Sequence, residues 1–191
     1  MVGVGVGWAG EEFAALGVDP DRRGAITDEY LRAVLALWAG DVVDVAGRDV
    51  DTRPRPRQRP HPPLWVGGNT APARRRAVRL GQAWHPLRFP AGWLRDHGLP
   101  GLRAAAQEAG RPVPALAPRI VLHPTAEHRP DDARLTGQGH RDQIRADLDE
   151  LRALGATHVL LDPHPDADAA ARDDGARDRA VVKEAATWVL G

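Results

Sequence analysis

The feature that most constrains this chain is a strand stopped by two glycines and followed at once by a capped helix. In Pro62-Pro63-Leu64-Trp65-Val66-Gly67-Gly68-Asn69-Thr70-Ala71-Pro72, Leu64 to Val66 form a short apolar run of strand-favouring residues. Thr70 can cap the next helix, Pro72 suits its first turn, and Gly81 ends it after Ala77, Val78 and Leu80. Gly67 and Gly68 allow backbone N–H groups to approach a ligand, and the helix N-terminus behind them attracts anions. The segment is a candidate phosphate cradle. The same residues also describe a tight strand-to-helix turn with no ligand.

The unit recurs along the chain. Met1-Val2-Gly3-Val4-Gly5-Val6-Gly7 reads as a buried strand, and Glu11-Glu12-Phe13 opens a short helical turn broken by Gly17-Val18-Asp19-Pro20. Thr27 is placed to cap a helix through Trp38, with Leu31, Val34, Leu35 and Trp38 on one apolar face. Residues 41–53 read as a small β excursion or a loop, and Arg53 to Pro60 as an extended, polyproline-like connector. Gln82 to Pro86 is a very short strand, and a helix covers much of Trp93 to Ala109, interrupted near Leu99-Pro100-Gly101. Ala115 to Leu122 is a strand bent by Pro118; His123 to Gly139 is a long polar loop. Ile144, Leu148, Leu151 and Leu154 recur at helical spacing, Thr157 to Asp162 is a strand, and a last helix ends near Leu190. Strands are thus expected near residues 2, 64, 83, 116 and 157, each followed by helix. Such alternation implies an α/β fold with a parallel sheet, either an open doubly wound sheet or most of a (β/α)8 barrel.

Composition removes several classes of function. The 26 basic and 26 acidic residues balance, so nothing global points to nucleic acid or a membrane surface. Cysteine and serine are absent, which excludes disulfides, thiolate metal sites and Cys or Ser nucleophiles. No apolar run reaches the roughly 18 residues of a membrane span, and the N-terminus lacks signal-peptide character, so a cytoplasmic setting is expected. Gly5-Val6-Gly7-Trp8-Ala9-Gly10 spells the dinucleotide fingerprint, but the acid expected at the end of a second strand is replaced by Asp28 at the start of a helix. Asp162 to Asp168 has the acidic look of a metal loop, yet its prolines and missing turn glycine argue against one, and no metal is expected. His85, at a strand end, is a candidate to protonate a substrate or bond a cofactor ring, with a structural role against Trp84 as the alternative. His158 reads as a satisfied core residue, and His164 as a candidate for the phosphate side. Trp8, Trp65 and Trp84 each lie beside a strand end, where they could stack on a planar cofactor or fill the core.

The pieces also form one ordered pattern. Gly3-Val4-Gly5-Val6-Gly7-Trp8 is followed by Glu11-Glu12-Phe13, Leu16-Gly17, Arg23, Asp28-Glu29-Tyr30-Leu31 and Leu37-Trp38, then by Pro60 to Asn69 and by Arg76 to Pro86. This order and spacing resembles the luciferase-like monooxygenase family, especially its coenzyme F420-dependent oxidoreductases. The resemblance covers residues 1 to about 112, and more loosely 140 to 190 through Leu-Gly-Ala-Thr-His-Val-Leu-Leu-Asp. It implies one domain over residues 1–191, a partial (β/α)8 TIM barrel whose strands match about the fourth to eighth of the family's barrel.

By the same resemblance, Gly5, Val6, Gly7 and Trp8 would line the cofactor, with Glu11 near the ring edge or substrate side. Gly67, Gly68 and Asn69 would serve its phosphate-bearing tail. His85 and Glu11 are the catalytic candidates. The implied cofactor is F420, with FMN as the alternative, acting on a small-molecule substrate without nucleic acid or membrane. Such a partial barrel also implies a homo-oligomer or a completing partner chain. Two other readings stand beside this one: a non-catalytic or partner-dependent remnant, and an independent open α/β binding domain.

Overall fold

A computed structural model describes residues 1–45, 47–163 and 175–189. The first half contains β1 (Val2–Val4), α1 (Gly10–Ala15), α2 (Arg23–Ala39), β2 (Val43–Val45), β3 (Arg48–Val50), β4 (Leu64–Gly67), α3 (Ala71–Leu80) and β5 (Ala83–His85). The second contains α4 (Leu99–Glu108), β6 (Ala115–Leu116), β7 (Arg119–Val121), β8 (His123–Pro124), β9 (Gln138–Gly139), α5 (Arg141–Ala153), β10 (Leu160–Asp162) and α6 (Gly175–Val189).

The sheet follows chain order. β1, β4, β5 and β6 are hydrogen-bonded side by side in parallel, and β7 continues the arc to β10. β6 and β7 are one strand broken at Ala117-Pro118, because proline cannot donate to the ladder. A bridge from Leu87 to Arg119 keeps β7 in step with the chain leaving β5. The result is an α/β arc of parallel strands with helices between them. Among the described residues β1 and β10 are each paired on one side only, so the arc is not closed.

Strand alternation decides which face is dry. Leu64 and Val66 of β4, Trp84 of β5, Leu116 of β6 and Ile120 of β7 point toward the helices and are buried. Val66, Trp84, Leu116 and Ile120 meet Ala77 and Val78 of α3 with Leu99, Leu102 and Ala106 of α4 in one apolar cluster. Residues of opposite parity, Gly3, Trp65, Gly67, His85 and Arg119, share the other, inner face by register.

Four sequence expectations are corrected. The second helix begins at Arg23, and Thr27 lies inside it, its hydroxyl donating to the Arg23 carbonyl at 2.8 Å rather than capping. The helix expected from Trp93 opens as a π-helical turn, Leu94–Gly98, before α4 starts at Leu99. His158 is exposed, not core, because the face it occupies has no covering layer among the described residues. The segment from His123 to Gly139 is not a plain loop: β8 and β9 pair in parallel within it.

Arg134 anchors that segment. It is 7% exposed and donates Nη1 and Nη2 to the two carboxylate oxygens of Asp147 on α5, at 2.6 and 2.9 Å. Asp147 also accepts from the Gly137 N–H at 2.7 Å. Polar composition alone hid this, since a bidentate pair makes a charged segment as fixed as an apolar one. Arg134→Met strands the Asp147 carboxylate and should lower unfolding free energy by roughly 3–5 kcal/mol. Urea denaturation checks this, and a loss below about 1 kcal/mol would show the pair to be incidental.

Candidate functional site

The C-terminal ends of β1, β4, β5 and β7 meet at one mouth, and the glycine loop sits at its centre. Thr70 caps α3, its hydroxyl accepting from Ala73 N–H at 3.4 Å, with Pro72 in the first turn. Gly68 has φ +113°, and a Cβ there would lie 3.0 Å from the Ala73 Cβ. A Cβ at Gly67 would lie 3.2 Å from the Val4 carbonyl. Both ends of Gly68 are held: its N–H donates to His85 O at 3.3 Å, and its carbonyl accepts from the Trp84 indole at 2.8 Å.

A cleft of about 490 Å³ opens in front of this loop, lined among others by Val6, Arg23, Gly68, Thr70, Ala73 and Arg76. Arg76 is buried at the cleft wall, with Nε donating to Asp28 at 2.5 Å and Nη2 to the Gly24 carbonyl at 2.9 Å. The cleft therefore combines bare glycine backbone, a helix N-terminus and two arginines against one carboxylate, Asp21, a donor set suited to a phosphate.

The inner face beside the cleft carries aromatic and titratable groups. Trp65 stands 5.8 Å from His85 and 5.1 Å from His158, ring centre to ring centre. The Nδ1 of His85 is hydrogen-bonded to the Ala117 carbonyl. A carbonyl only accepts, so Nδ1 carries the proton and the neutral ring keeps Nε2 as an acceptor. Burial holds the His85 pKa below its ordinary 6.5; the Ala117 bond opposes this, and the Arg119 charge adds to the lowering. A Cβ at Gly3 on β1, or at Gly5 just after it, would stand in open space. The inner floor at that edge is bare.

The predicted site residues separate into three places. Val6, Gly67 and Gly68 line the cleft, while Asn69 turns to Leu87, donating Nδ2 to its carbonyl at 2.7 Å and accepting its N–H at 2.9 Å. His85 lies on the inner face next to Trp65. Gly5, Gly7 and Trp8 follow β1, with Trp8 77% exposed, and Glu11 is exposed on α1. Trp84 is fully buried in the helix-side core. His164, Asp166 and Asp168 lie outside the described residues.

A family model described as luciferase-like monooxygenase matches residues 1–189. The chain belongs to the luciferase-like monooxygenase family. An FMNH2-dependent dimethylsulfone monooxygenase of Pseudomonas putida is 34% identical over 87 residues, 41% of this chain and 24% of that protein. An F420-dependent secondary alcohol dehydrogenase, solved with an F420-acetone adduct, superposes with a TM-score of 0.69 at 16% identity, over 98% of this chain and 69% of that one. The F420-dependent tetrahydromethanopterin reductase of Methanopyrus kandleri gives 0.65 at 13% identity, over 94% and 70%. The structural likenesses establish the shared partial-barrel fold, and the curated match spans a quarter of its relative.

Sequence reasoning missed three arginine–aspartate pairs, on two aspartates, at this mouth of the luciferase-like fold. Arg76 and Arg79 of α3 both reach Asp28 of α2, the latter at 3.1 Å. Arg119 reaches Asp162 across the arc at 2.7 Å. The signal for Arg119 and Asp162 was position: Asp162 ends β10, and Arg119 aligns with Leu87 just past the C-terminal end of β5, where barrel sites collect.

The His85 shift has a defined sign. Above about pH 6.5 the ring is neutral folded and unfolded, so its contribution is complete; as pH falls below this, the unfolded chain takes the proton first and stability is lost down to the folded pKa. In urea titrations between about pH 7.5 and 5, the unfolding free energy of the wild type should decline more steeply than that of His85→Gln. Equal slopes would show that His85 is not held neutral.

Proposed function

We propose that this chain works as an oxidoreductase of the luciferase-like group, using F420 or FMN to pass hydride to or from a small organic substrate. The observation that carries it is the cleft at Gly67 and Gly68, where added Cβ atoms would crowd Val4 and Ala73, at the N-terminus of α3 and beside Arg76. The residues present fit a phosphate-bearing tail. Gly67, Gly68, Thr70 and Arg76 would hold it, and Val6 would flank it. The relatives' use of F420 and of FMNH2 supports a flavin or deazaflavin in this position.

When bound, such a cofactor supplies the hydride chemistry, and the protein needs no nucleophile of its own. What the chain contributes is placement. Gly3 of β1 and Gly5 just past its end leave the inner floor open to a flat ring, and Trp65 offers an aromatic surface next to it. His85, neutral with Nε2 as acceptor, is suited to take a proton or a hydrogen bond on that face. The bond to Ala117 fixes its orientation. Asn69 acts at one remove, tying the glycine loop to Leu87 and so to the chain beyond β5.

A second reading has its own observation. β1 and β10 pair on one side only among the described residues, which favours a module whose turnover requires a completing chain, in a homo-oligomer or with another partner. Cofactor binding with no turnover by the purified chain would select it.

The cofactor assignment is tested by titrating F420 and FMN against Gly67→Asp and Gly68→Asp, with circular dichroism to verify folding. Each carboxylate would occupy the cleft and repel phosphate, and the Kd should rise at least about tenfold, equivalent to about 1.4 kcal/mol. Folded variants with unchanged affinity would remove the phosphate site from this loop.

A further inference from the structure

One charged group on the inner face is absorbed neither by the core nor by the cleft. Arg119 aligns with Leu87, two residues past His85 on the neighbouring strand, and so shares the inner face with His85. Its main chain is locked, with N–H donating to Pro86 O at 2.8 Å and the carbonyl accepting from Arg88 N–H at 3.3 Å. Its side chain is 41% exposed, whereas that of its partner Asp162 is 6% exposed. Nε and Nη2 both donate to one oxygen, Asp162 Oδ2, at 3.1 and 2.7 Å. Nη1 donates to no described residue, so a guanidinium edge is left over after Asp162 is satisfied.

This arrangement is a held cation with a spare donor edge. Asp162 fixes the plane of the guanidinium, so little side-chain freedom is lost when a ligand arrives. The phosphate cleft lies on the β1–β4 side, while Arg119 stands on β7, beyond β5, across the inner face from it. A cofactor tail in the cleft does not use it.

We infer that Arg119, clamped by Asp162, anchors the carboxylate of an organic-acid substrate on the inner face beside His85 and Trp65. The inference rests on the oxidoreductase reading and gives it a substrate class: a small organic acid with an apolar body. The guanidinium takes the carboxylate, and the neutral imidazole of His85 stands next to the bound molecule. Arg119 is here a specificity residue. The lowering of the His85 pKa by the Arg119 charge agrees with the two groups facing the same space.

The test uses benzoate and its neutral counterpart benzamide, titrated into the full chain with and without saturating F420 or FMN. Benzoate should bind at least tenfold more tightly than benzamide, and Arg119→Met should abolish that preference. F420 and FMN affinities should change less than twofold. Because Arg119→Met removes the Arg119 ion pair from the buried Asp162 carboxylate, the double variant Arg119→Met/Asp162→Asn is the companion, and Arg119→Lys should restore part of the preference.

A second readout needs no cofactor. Benzoate should raise the His85 pKa, followed by the NMR shift of its ring C–H protons, and should leave it unmoved in the double variant. Equal binding of benzoate and benzamide by the wild type, or a preference surviving in a folded Arg119 variant, would overturn the inference. So would a variant that loses F420 or FMN while keeping benzoate. Failure of the cofactor to bind at all, with the benzoate preference intact, would instead overturn the oxidoreductase reading.

Discussion

The indole of Trp84 is the point on which the functional end of this chain depends. Its ring is fully buried on the helix side of the sheet, 6.2 Å from Trp93, within the cluster that joins α3 and α4. Its N–H donates to the carbonyl of Gly68. A buried indole must find an acceptor, and this one finds it in the loop that faces the cleft. Core packing therefore sets the position of the glycine backbone directly. Through the Gly68 N–H the same loop also holds the His85 carbonyl, so cleft and inner face share one fixed point.

The second constraint is the division of the sheet into a dry face and an open one. A parallel sheet is normally covered on both sides. Here helices cover one side, while the inner side carries Gly3, Trp65, His85, Arg119 and the exposed Leu160. Bare glycine, aromatic rings and a clamped guanidinium make poor packing surface but good ligand surface. That contrast favours reading the inner face as a place where a planar molecule and an acid are held, rather than as a core awaiting a hydrophobic layer.

Much of this was legible in the sequence. The strand–glycine–helix segment from Leu64 to Leu80 was readable because each signal is local: a β-favouring run, a Thr cap, Pro72 in the first turn. Pro118 announced the break between β6 and β7. The alternation of strand and helix announced a parallel α/β fold, and the ordered motifs narrowed it to the luciferase-like group. What stayed hidden was set by partners distant in sequence. Thr27 looked like a cap because helix starts are read locally, yet Asp28 is held by Arg76, 48 residues away, inside a helix already begun. His158 looked like core because a strand is assumed covered on both faces. The order within the segment from His123 to Gly139 depends on Arg134 finding Asp147, which periodicity cannot register.

Those hidden contacts are of one kind, and their distribution is informative. Arg76–Asp28 joins α3 to α2, Arg119–Asp162 joins β7 to β10, and Arg134–Asp147 joins the segment before β9 to α5. A buried ion pair seldom adds much net stability over apolar residues of the same size, because desolvation offsets the attraction. What each pair does impose is geometry: a guanidinium satisfied by a carboxylate in one register is left unsatisfied in any neighbouring one. In an arc whose edge strands lack a second partner among the described residues, such pins compensate for the missing closure by fixing how successive units lie. Arg119 differs from the other two in one respect. Arg76 and Arg134 have side chains only 5% and 6% exposed, whereas that of Arg119 is 41% exposed over an almost fully buried partner. A pin used only for register has no reason to keep its donor edge at the surface, and this asymmetry separates Arg119 from Arg134, a pin alone, while Arg76 combines its pin with a place in the cleft wall.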